Sequence, residues 1–351
     1  MLLRNTAELL MRKQENKDFD FYAVFVSKNG EESFLHSNNV NEDTYFDIAS
    51  MGKILVTTPL ILKAVDEKKL SLDHTLAMFF EKVPEKKNIT VKQLLTHTSG
   101  IVRCPISPQT AERGTGAVAE YIIHHPLAYT PGTDSIYSCN GMILLGYILE
   151  KIYDVSLETL FETKLKAPLG YTRSKFNIAI HEPNAAICYR SRDVDGLAHP
   201  WDDENIRVLK TSAGSGGQFF TLNDIRKFAN AVMAKSNVLY GKKLYDLAEA
   251  DYTPNGSEGR GLGWLFVDDR YPQTGMLFPA GSFGHCGHTG TSVFFNRSED
   301  MYVIVLTNAT RCLNEKNNFK GYDYNVICKM RTEIHNAIYR DLLLEKLISY
   351  R

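Results

Sequence analysis

The alternation of apolar and polar positions divides the chain into two strand-rich ends and a helix-rich middle. Near the N-terminus, residues 21–27 and 31–36 predict two strands joined at Asn29-Gly30, a pair that supplies the positive φ angles of a tight hairpin turn. Near the C-terminus, β-branched and aromatic runs predict strands at 263–267, 291–295 and 302–307. Between them, residues 73–205 alternate helical patterns with turns rich in Pro and Gly and predict few strands.

Amphipathic helices are predicted at both chain ends, over residues 2–14 and 324–347. The apolar stripe of the second helix is suited to covering a sheet and consists of Ile327, Met330, Ile334, Ile338 and Leu342. The expected fold class is therefore α+β: an antiparallel sheet built from both chain ends and flanked by helices, plus a mostly helical lobe. We assign residues 1–70 and 206–351 to the sheet lobe and 71–205 to the helical lobe, as one functional unit with its site in the cleft between the lobes.

Charge and composition narrow the class of partner. The chain has 351 residues and a formal net charge of -1, from 40 Lys plus Arg against 41 Asp plus Glu, so nucleic acid is not an expected partner. No stretch is long and apolar enough to cross a membrane, and charged residues interrupt the first twenty positions, so a cytoplasmic protein without a signal peptide is expected. The six cysteines show no paired spacing and are expected to be free thiols.

The segment Ser50-Met51-Gly52-Lys53 is the first candidate for chemistry. Apolar residues continue after Lys53 at helical spacing, so Ser50 is predicted at a helix N-terminus with Lys53 one turn inside, on the same face. A serine hydroxyl is a poor nucleophile at neutral pH, and a lysine with a lowered pKa can take its proton. For this segment alone, a serine N-cap followed by an unrelated lysine is the more common interpretation, and catalysis is favoured only together with the segments that follow.

Four further segments follow in order, and each combines polar groups with glycine. They are residues 94–101 (Leu-Leu-Thr-His-Thr-Ser-Gly-Ile), 137–146 (Tyr-Ser-Cys-Asn-Gly-Met-Ile-Leu-Leu-Gly), 203–205 leading to 213–221, and 283–292 (Phe-Gly-His-Cys-Gly-His-Thr-Gly-Thr-Ser). Together with Ser50-x-x-Lys53, they resemble the motifs of the serine β-lactamase-like superfamily. The resemblance is closest to its branch of class C β-lactamases, DD-peptidases and family VIII-type esterases, and it extends from about residue 45 to residue 310.

The resemblance implies a division of chemical roles. Substrate would acylate Ser50, Lys53 would assist its activation, and Tyr137 would be the second proton-transfer group. A neighbouring lysine can shift a tyrosine phenol towards phenolate, and either group can pass the serine proton to a leaving group. The backbone N–H groups of Ser50 and His288 are expected to stabilise the oxyanion. The resemblance implies neither a metal nor an organic cofactor.

Two registers compete for the strand triplet that lines the other side of the family's site. We prefer His285-Cys286-Gly287, because more flanking residues then agree, over the local alternative that starts at His288. Two thiols also replace family residues: Cys139 stands where the Y-x-N motif has its Asn, although Asn140 is adjacent, and Cys286 stands where the triplet has Thr. Because a thiol is a weak donor and acceptor, both changes weaken the binding of a substrate amide or carboxylate.

The predicted function is therefore a serine hydrolase that cleaves a small ester, amide or peptide-like molecule through an acyl-enzyme on Ser50. The predicted substrate-binding residues are His285, Cys286, Gly287, His288, Cys139 and Asn140. Two alternatives stay open: a β-lactamase, D-Ala-D-Ala carboxypeptidase or penicillin-binding protein, and a non-catalytic binding or scaffold protein, since a fold does not determine a function. The pattern says nothing about oligomeric state.

Other interpretations are weaker. Residues 213–217 (Ala-Gly-Ser-Gly-Gly) nearly match the nucleophile elbow of α/β-hydrolases, with Ser215 as the nucleophile. Their first glycine is replaced by Ala, and no buried strand is predicted before them, so we interpret them as a loop beside the cleft. The His285, Cys286 and His288 side chains are not accompanied by a second close-spaced group of ligands, and a metal site is not predicted there.

Overall fold

A computed structural model describes residues 1–83, 85–176, 178, 182–186, 213–254, 258–268, 274–275, 277–318 and 320–345. Its strands are β1 (Tyr22–Lys28), β2 (Glu31–His36), β3 (Tyr45–Asp47), β4 (Lys175–Phe176), β5 (Ala185–Ala186), β6 (Gln218–Thr221), β7 (Leu265–Phe266), β8 (Phe283–Cys286), β9 (Ser292–Asn296) and β10 (Met301–Thr307). Six of them form an antiparallel sheet in the order β2-β1-β10-β9-β8-β7. The α+β fold class and the sheet built from both chain ends are confirmed.

The N-terminal hairpin joins the C-terminal strands along the full length of β1. The turn residues Asn29 and Gly30 have φ angles of 52° and 77°, as the Asn-Gly pair predicted. On its far side β1 pairs with β10 from Tyr22↔Thr307 to Lys28↔Met301. Successive residues of a strand point to opposite faces, and in β1 both faces are apolar, so the main sheet is covered on both sides.

The two terminal helices, Arg4–Glu15 and Tyr324–Leu344, cover one face of the main sheet. Their apolar residues form a core cluster with side chains of β1 and β10. All five residues of the predicted stripe on the C-terminal helix are buried. The predicted helix extended to residue 347, and its last residues lie outside the described part of the chain.

Along the chain, most of the remaining helices lie between the N-terminal and the C-terminal strands of the main sheet. The α-helices are Thr58–Asp66, Val91–Leu95, Pro108–Ala111, Thr115–His124, Cys139–Tyr153, Leu157–Phe161, Ala167–Leu169, Leu222–Met233, Lys242–Ala248 and Ala309–Lys316. Short 3-10 turns occupy Ala49–Met51 and Leu76–Met78, and π-helical turns occupy Lys53–Thr57 and Glu162–Lys166. No helix in the described residues combines the length and apolarity needed to span a bilayer. The lobe boundaries near residues 70 and 205 stay a prediction.

A second, smaller sheet was not expected from the sequence pattern. Its strand order is β4-β6-β3-β5, and its members are two to four residues long, too short for a period to be recognised. In this sheet β3 pairs with β6 in antiparallel fashion, from Tyr45↔Thr221 to Asp47↔Phe219. Because Ser50 follows β3 almost directly, this pairing fixes the position of the segment that carries the candidate nucleophile.

A buried carboxylate connects this small sheet to the helix Leu222–Met233. Asp224 accepts hydrogen bonds from the backbone N–H groups of Thr172 (3.0 Å), Arg173 (3.0 Å) and Ser174 (2.8 Å). Burial alone would raise the pKa of the Asp224 carboxyl, but these N–H groups outweigh it and hold the pKa below its ordinary value. Because the folded-state pKa is depressed, the ionised carboxylate stabilises the fold above the unfolded-state pKa. This contribution is lost as the pH falls through the folded-state pKa.

Asp224→Asn is therefore expected to destabilise the fold by about 2–4 kcal/mol at neutral pH, because the negative charge is lost and an NH2 donor replaces one of the two oxygens that accept from these N–H groups. The difference between wild type and variant should be constant above about pH 5 and shrink below about pH 4. Urea unfolding across this range measures it. The matched control is Asp246→Asn, which removes an exposed ion pair with Lys235 and should change stability by less than about 1 kcal/mol. A difference that grows as the pH falls would contradict the assignment.

Candidate active site

Ser50 lies in the 3-10 turn Ala49–Met51, and Lys53 begins the π-helical turn that leads into the helix Thr58–Asp66. The chain thus enters this helix through a 3-10 turn, which is tighter than an α-helix, and a π-helical turn, which is wider. The sequence had predicted a regular α-helical N-terminus here. Neither turn has a side-chain cap within the described residues, so the N-cap interpretation of Ser50 does not apply. The preceding residue, Ala49, has a φ of 45°, a conformation that costs a non-glycine residue about 1–3 kcal/mol.

Lys53 and Tyr137, both predicted from the sequence, contact the Ser50 hydroxyl. Lys53 Nζ lies 3.0 Å from Ser50 Oγ, and the Tyr137 hydroxyl lies 2.7 Å from the same atom. The Lys53 amine also lies over the Tyr137 ring, 5.0 Å from its centroid. The three groups therefore form a continuous hydrogen-bonded unit, centred on an oxygen that can act as a nucleophile.

Lys53 is completely buried, and a backbone carbonyl holds its amine in place. Nζ donates to the carbonyl oxygen of Ser215 at 2.7 Å and lies 3.5 Å from Cys139 Sγ. The loop of residues 213–217, interpreted from the sequence as lying beside the cleft, thus contacts the candidate base directly. The Ser215 hydroxyl makes no such contact: its Oγ is buried without a hydrogen-bond partner among the described residues.

Tyr137 is a neutral phenol in this structure, which corrects the expectation of a shift towards phenolate. Burial of the hydroxyl raises the pKa of Tyr137 well above its ordinary value, and Cys139 raises it further. The hydrogen bond with Ser50 and the charge of Arg260 lower the pKa only in part. The residue as a whole is 37% exposed, and its hydroxyl is the group that contacts Ser50. A neutral phenol can donate a proton but cannot act as a base.

The strand β8 and the turn after it form the opposite side of the site. His285 belongs to β8, and its ring lies 6.0 Å from the Tyr137 ring. His288 belongs to the turn; its ring stacks on Tyr324 at 4.7 Å, and its Nε2 contacts the Tyr322 hydroxyl. The triplet assignment stays a prediction, and this placement favours the register that begins at His285.

Hydrogen bonds connect this turn to the chain just before Ser50. Thr289 Oγ1 donates to the Asp47 carbonyl at 2.7 Å, and Thr291 Oγ1 donates to the Ile48 carbonyl at 3.3 Å. At Gly287 a Cβ atom would lie 2.6 Å from the Ile48 oxygen, so only glycine allows this approach. The buried Arg331 donates from Nη2 to the Gly287 carbonyl at 3.1 Å. The turn is therefore held from both sides.

These elements line a cavity of 210 Å³ that Ser50 borders. It is lined by Ser50, Tyr137, Glu258, Arg260, Leu265, His285, Cys286, His288 and Tyr324. Cys139 and Asn140, the two predicted substrate-binding residues of the 137–146 segment, have different surroundings. The Cys139 thiol contacts Lys53 at 3.5 Å, whereas Asn140 is buried and directs its amide nitrogen to the Val102 carbonyl at 3.0 Å and to Cys104 Sγ at 2.9 Å.

Sequence reasoning missed several lining residues, of which Arg260 is the most consequential. Its side chain is buried, lies 5.5 Å from the centre of the Tyr137 ring, and pairs with the Glu258 carboxylate. The sequence held only a weak signal: an acid and a base separated by one glycine, just before the strand predicted at 263–267.

Two buried histidines at the site, His97 and His285, have lowered pKa values. Burial lowers the pKa of His97 and His285 well below the ordinary value, and the charges of Arg260 and then Lys53 lower both further. Burial raises the pKa of the Cys286 thiol, although Arg331 opposes this. The cysteines among the described residues, Cys104, Cys139, Cys286, Cys312 and Cys328, are all free thiols, and Cys188 lies outside that part of the chain.

Solved structures with this architecture include enzymes of several kinds. The octameric penicillin-binding protein homologue from Pyrococcus abyssi has a TM-score of 0.72 at 22% identity, covering 99% of this chain and 78% of that one. EstCE1, described as a hydrolase with promiscuous acyltransferase activity, has a TM-score of 0.73 at 18% identity, covering 96% and 98%. Simvastatin synthase from Aspergillus terreus has a TM-score of 0.71 at 16% identity, covering 96% and 97%. At these identities the likeness shows a shared fold.

Sequence relatives extend the comparison. A protein of Escherichia coli strain K12, named provisionally as a D-alanyl-D-alanine carboxypeptidase, is 27% identical over 301 residues, which cover 76% of this chain and 69% of the relative. A protein of the same provisional name from Salmonella typhimurium is 24% identical over 319 residues, covering 80% and 72%. The family model described as Beta-lactamase matches residues 10–317. The chain therefore belongs to the beta-lactamase family and is a hydrolase of that family.

Proposed function

We propose that this chain is a serine hydrolase that forms an acyl-enzyme on Ser50 and cleaves a small ester or amide. One observation carries the proposal: Ser50 Oγ lies within hydrogen-bond distance of both the Lys53 amine and the Tyr137 hydroxyl, and Ser50 lines a cavity. A nucleophile paired with a base and an acid is the arrangement that acyl transfer needs.

The two proton carriers take different roles in the proposed reaction. In the reactive form Lys53 is a deprotonated amine: one of its N–H groups donates to the Ser215 carbonyl, which can only accept, and its lone pair is available for the Ser50 proton. As Ser50 Oγ bonds to the acyl carbon, this proton passes to Lys53. The neutral phenol of Tyr137 then protonates the leaving alcohol or amine as its bond to the acyl carbon breaks.

The second half of the reaction restores the resting state. The Lys53 ammonium reprotonates Tyr137, and water then attacks the acyl-enzyme and gives a proton to Lys53. This proton returns to Ser50 Oγ as the acid leaves, so an ester or amide and one water become an acid and an alcohol or amine. The backbone N–H groups of Ser50 and His288 are the proposed oxyanion donors.

The remaining predicted substrate-binding residues are proposed to contact the substrate. The structural observation that supports this role differs from one residue to the next. His285, Cys286 and His288 line the cavity, and Gly287 lies between Cys286 and His288 in the turn after β8. Cys139 contacts Lys53 and therefore lies where a substrate atom near the base would pass. The buried position of Asn140 gives its proposed role the least support.

A second candidate reaction is supported by Arg260. A buried guanidinium at the cavity suits a substrate that carries a carboxylate, such as a peptide ending in D-Ala-D-Ala or a penicillin. The provisional carboxypeptidase name of the curated relatives agrees with this candidate. Against it, Glu258 already pairs with Arg260, and thiols stand at Cys139 and Cys286.

Intact-mass measurement after exposure to a fluorophosphonate and, separately, to benzylpenicillin tests both candidates. We expect a stoichiometric adduct on Ser50 with the fluorophosphonate. A penicilloyl adduct as well would favour the carboxypeptidase or β-lactamase candidate, whereas its absence would favour the esterase or amidase. No adduct on Ser50 with either reagent would overturn the proposal and favour a non-catalytic role.

A further inference from the structure

The backbone on both sides of Tyr137 is bound to one residue, His97. The N–H of Ile136 donates to the His97 carbonyl at 3.1 Å, and the N–H of Ser138 donates to His97 Nδ1 at 3.2 Å. Tyr137 lies between these two donors. A single residue thus accepts hydrogen bonds from the positions immediately before and immediately after the proposed proton donor.

A further contact stiffens this arrangement. The Tyr129 hydroxyl donates to the His97 carbonyl at 2.8 Å, and the N–H of Ile136 also lies 3.1 Å from the Tyr129 oxygen. The His97 ring is buried and lies 4.9 Å from the Tyr137 ring, inclined by 56°. His97 itself has a φ of 57°, a left-handed conformation that turns its carbonyl and its ring towards the same segment.

The segment that carries Tyr137 has no regular structure of its own. Tyr137 precedes the helix Cys139–Tyr153 by two residues, and residues 134–138 belong to neither helix nor strand. Its backbone position therefore depends on contacts such as those with His97. Proton transfer to a leaving group requires the donor oxygen within about 0.5 Å of its productive position, so such contacts have catalytic consequences.

We propose that His97 is a positioning residue, which sets the Tyr137 hydroxyl at its 2.7 Å distance from Ser50 Oγ by fixing the backbone on both sides of Tyr137. This inference rests on the proposed function, in which Tyr137 protonates the leaving group. His97 acts through Tyr137 and does not itself contact the reacting atoms.

The protonation state of His97 agrees with this role. Nδ1 accepts the Ser138 N–H and so carries no proton, which places the ring proton on Nε2. Burial lowers the pKa of His97 well below its ordinary value, and the Arg260 and Lys53 charges lower it further, so the ring stays neutral at neutral pH. Nδ1 is therefore available as an acceptor under working conditions.

The test compares two esters with the same acyl group, ethyl butanoate and 4-nitrophenyl butanoate. The ethoxide leaving group needs a proton, whereas 4-nitrophenolate leaves without one, so loss of acid catalysis slows only the first reaction strongly. We expect His97→Ala to lower kcat/KM for the ethyl ester by about 10- to 100-fold and for the nitrophenyl ester by less than about threefold.

A double-mutant cycle tests whether His97 affects the reaction through Tyr137. Tyr137→Phe should lower kcat/KM for the ethyl ester by about 10²- to 10³-fold, and adding His97→Ala should then cost less than about threefold more. His97→Asn should restore most of the loss, because Asn tolerates the left-handed conformation and its Oδ1 can accept the Ser138 N–H. Equal losses on the two esters, or an undiminished loss in the Tyr137→Phe background, would overturn the inference.

The control is His74→Ala, because His74 Nδ1 also accepts a backbone N–H, that of Ser71, at 3.2 Å. It should leave the ratio of the two ester rates unchanged. If His97→Ala fails to fold, Tyr129→Phe removes the second contact with the His97 carbonyl and enters the same cycle with the same expectation. Wild-type protein that cleaves neither ester would overturn the proposed function itself, which separates that failure from failure of the inference alone.

Discussion

Replacing Ser50 with alanine is expected to abolish ester hydrolysis, with kcat/KM falling by roughly 10⁴-fold or more, and to abolish labelling by a fluorophosphonate. The loss follows because Oγ is the atom on which Lys53 and Tyr137 converge, at 3.0 and 2.7 Å. Neither group can form an acyl-enzyme without it. Hydrolysis of 4-nitrophenyl butanoate and intact mass after labelling are the measurements.

The matched control for this loss is Ser215→Ala. Ser215 would be the nucleophile if residues 213–217 formed a hydrolase elbow, and its Oγ is buried without a partner in the described part of the chain. Alanine keeps the main-chain carbonyl that accepts from Lys53, so activity and labelling should stay within about threefold of wild type. Loss of labelling in Ser215→Ala together with its retention in Ser50→Ala would reverse the assignment of the nucleophile.

Lys53→Met is expected to lower kcat/KM by about 10²- to 10⁴-fold, because the serine loses the base that takes its proton. It is also expected to destabilise the fold by about 1–3 kcal/mol, since the Ser215 carbonyl becomes a buried acceptor without its donor. Steady-state kinetics and the midpoint of urea unfolding measure the two effects separately.

Lys28→Met separates chemistry from folding in this experiment. Lys28 is also buried, and its amine contacts the Glu299 carbonyl and carboxylate, but β10 and β9 separate its strand from β8 and the cavity. It should lower stability by a similar amount and leave kcat/KM within about threefold. If Lys53→Met lost no more activity than Lys28→Met, Lys53 would be a structural lysine and the proposed base would be wrong.

Patterns that recur along the chain predicted the larger elements well. Strand β2 was placed at its observed bounds, and the N-terminal hairpin turn was recognised from Asn29-Gly30. The C-terminal helix was predicted to begin at Tyr324, where it begins. Each of these elements is long enough, or has a turn specific enough, for one local rule to decide it.

The sequence predicted only part of the candidate site, because the rest of the site depends on long-range contacts. The motifs brought Ser50, Lys53 and Tyr137 to attention, and the structure brings them together. The Ser215 contact with Lys53 is made by a main-chain carbonyl, which no side-chain motif encodes. The neutral state of Tyr137 follows from burial, and burial is set by neighbours distant in sequence.

The strand order has a consequence for synthesis of the protein. Ser50 and Lys53 leave the ribosome before Ser215 and the strand β8, and β1 gains its second neighbour only when β10 is complete at Thr307. The nascent chain thus carries Ser50 and Lys53 before it contains the Ser215 carbonyl that holds the Lys53 amine and the strand β8 that lines the site. The proposed catalytic arrangement is therefore complete only after β10 has been synthesised and has paired with β1.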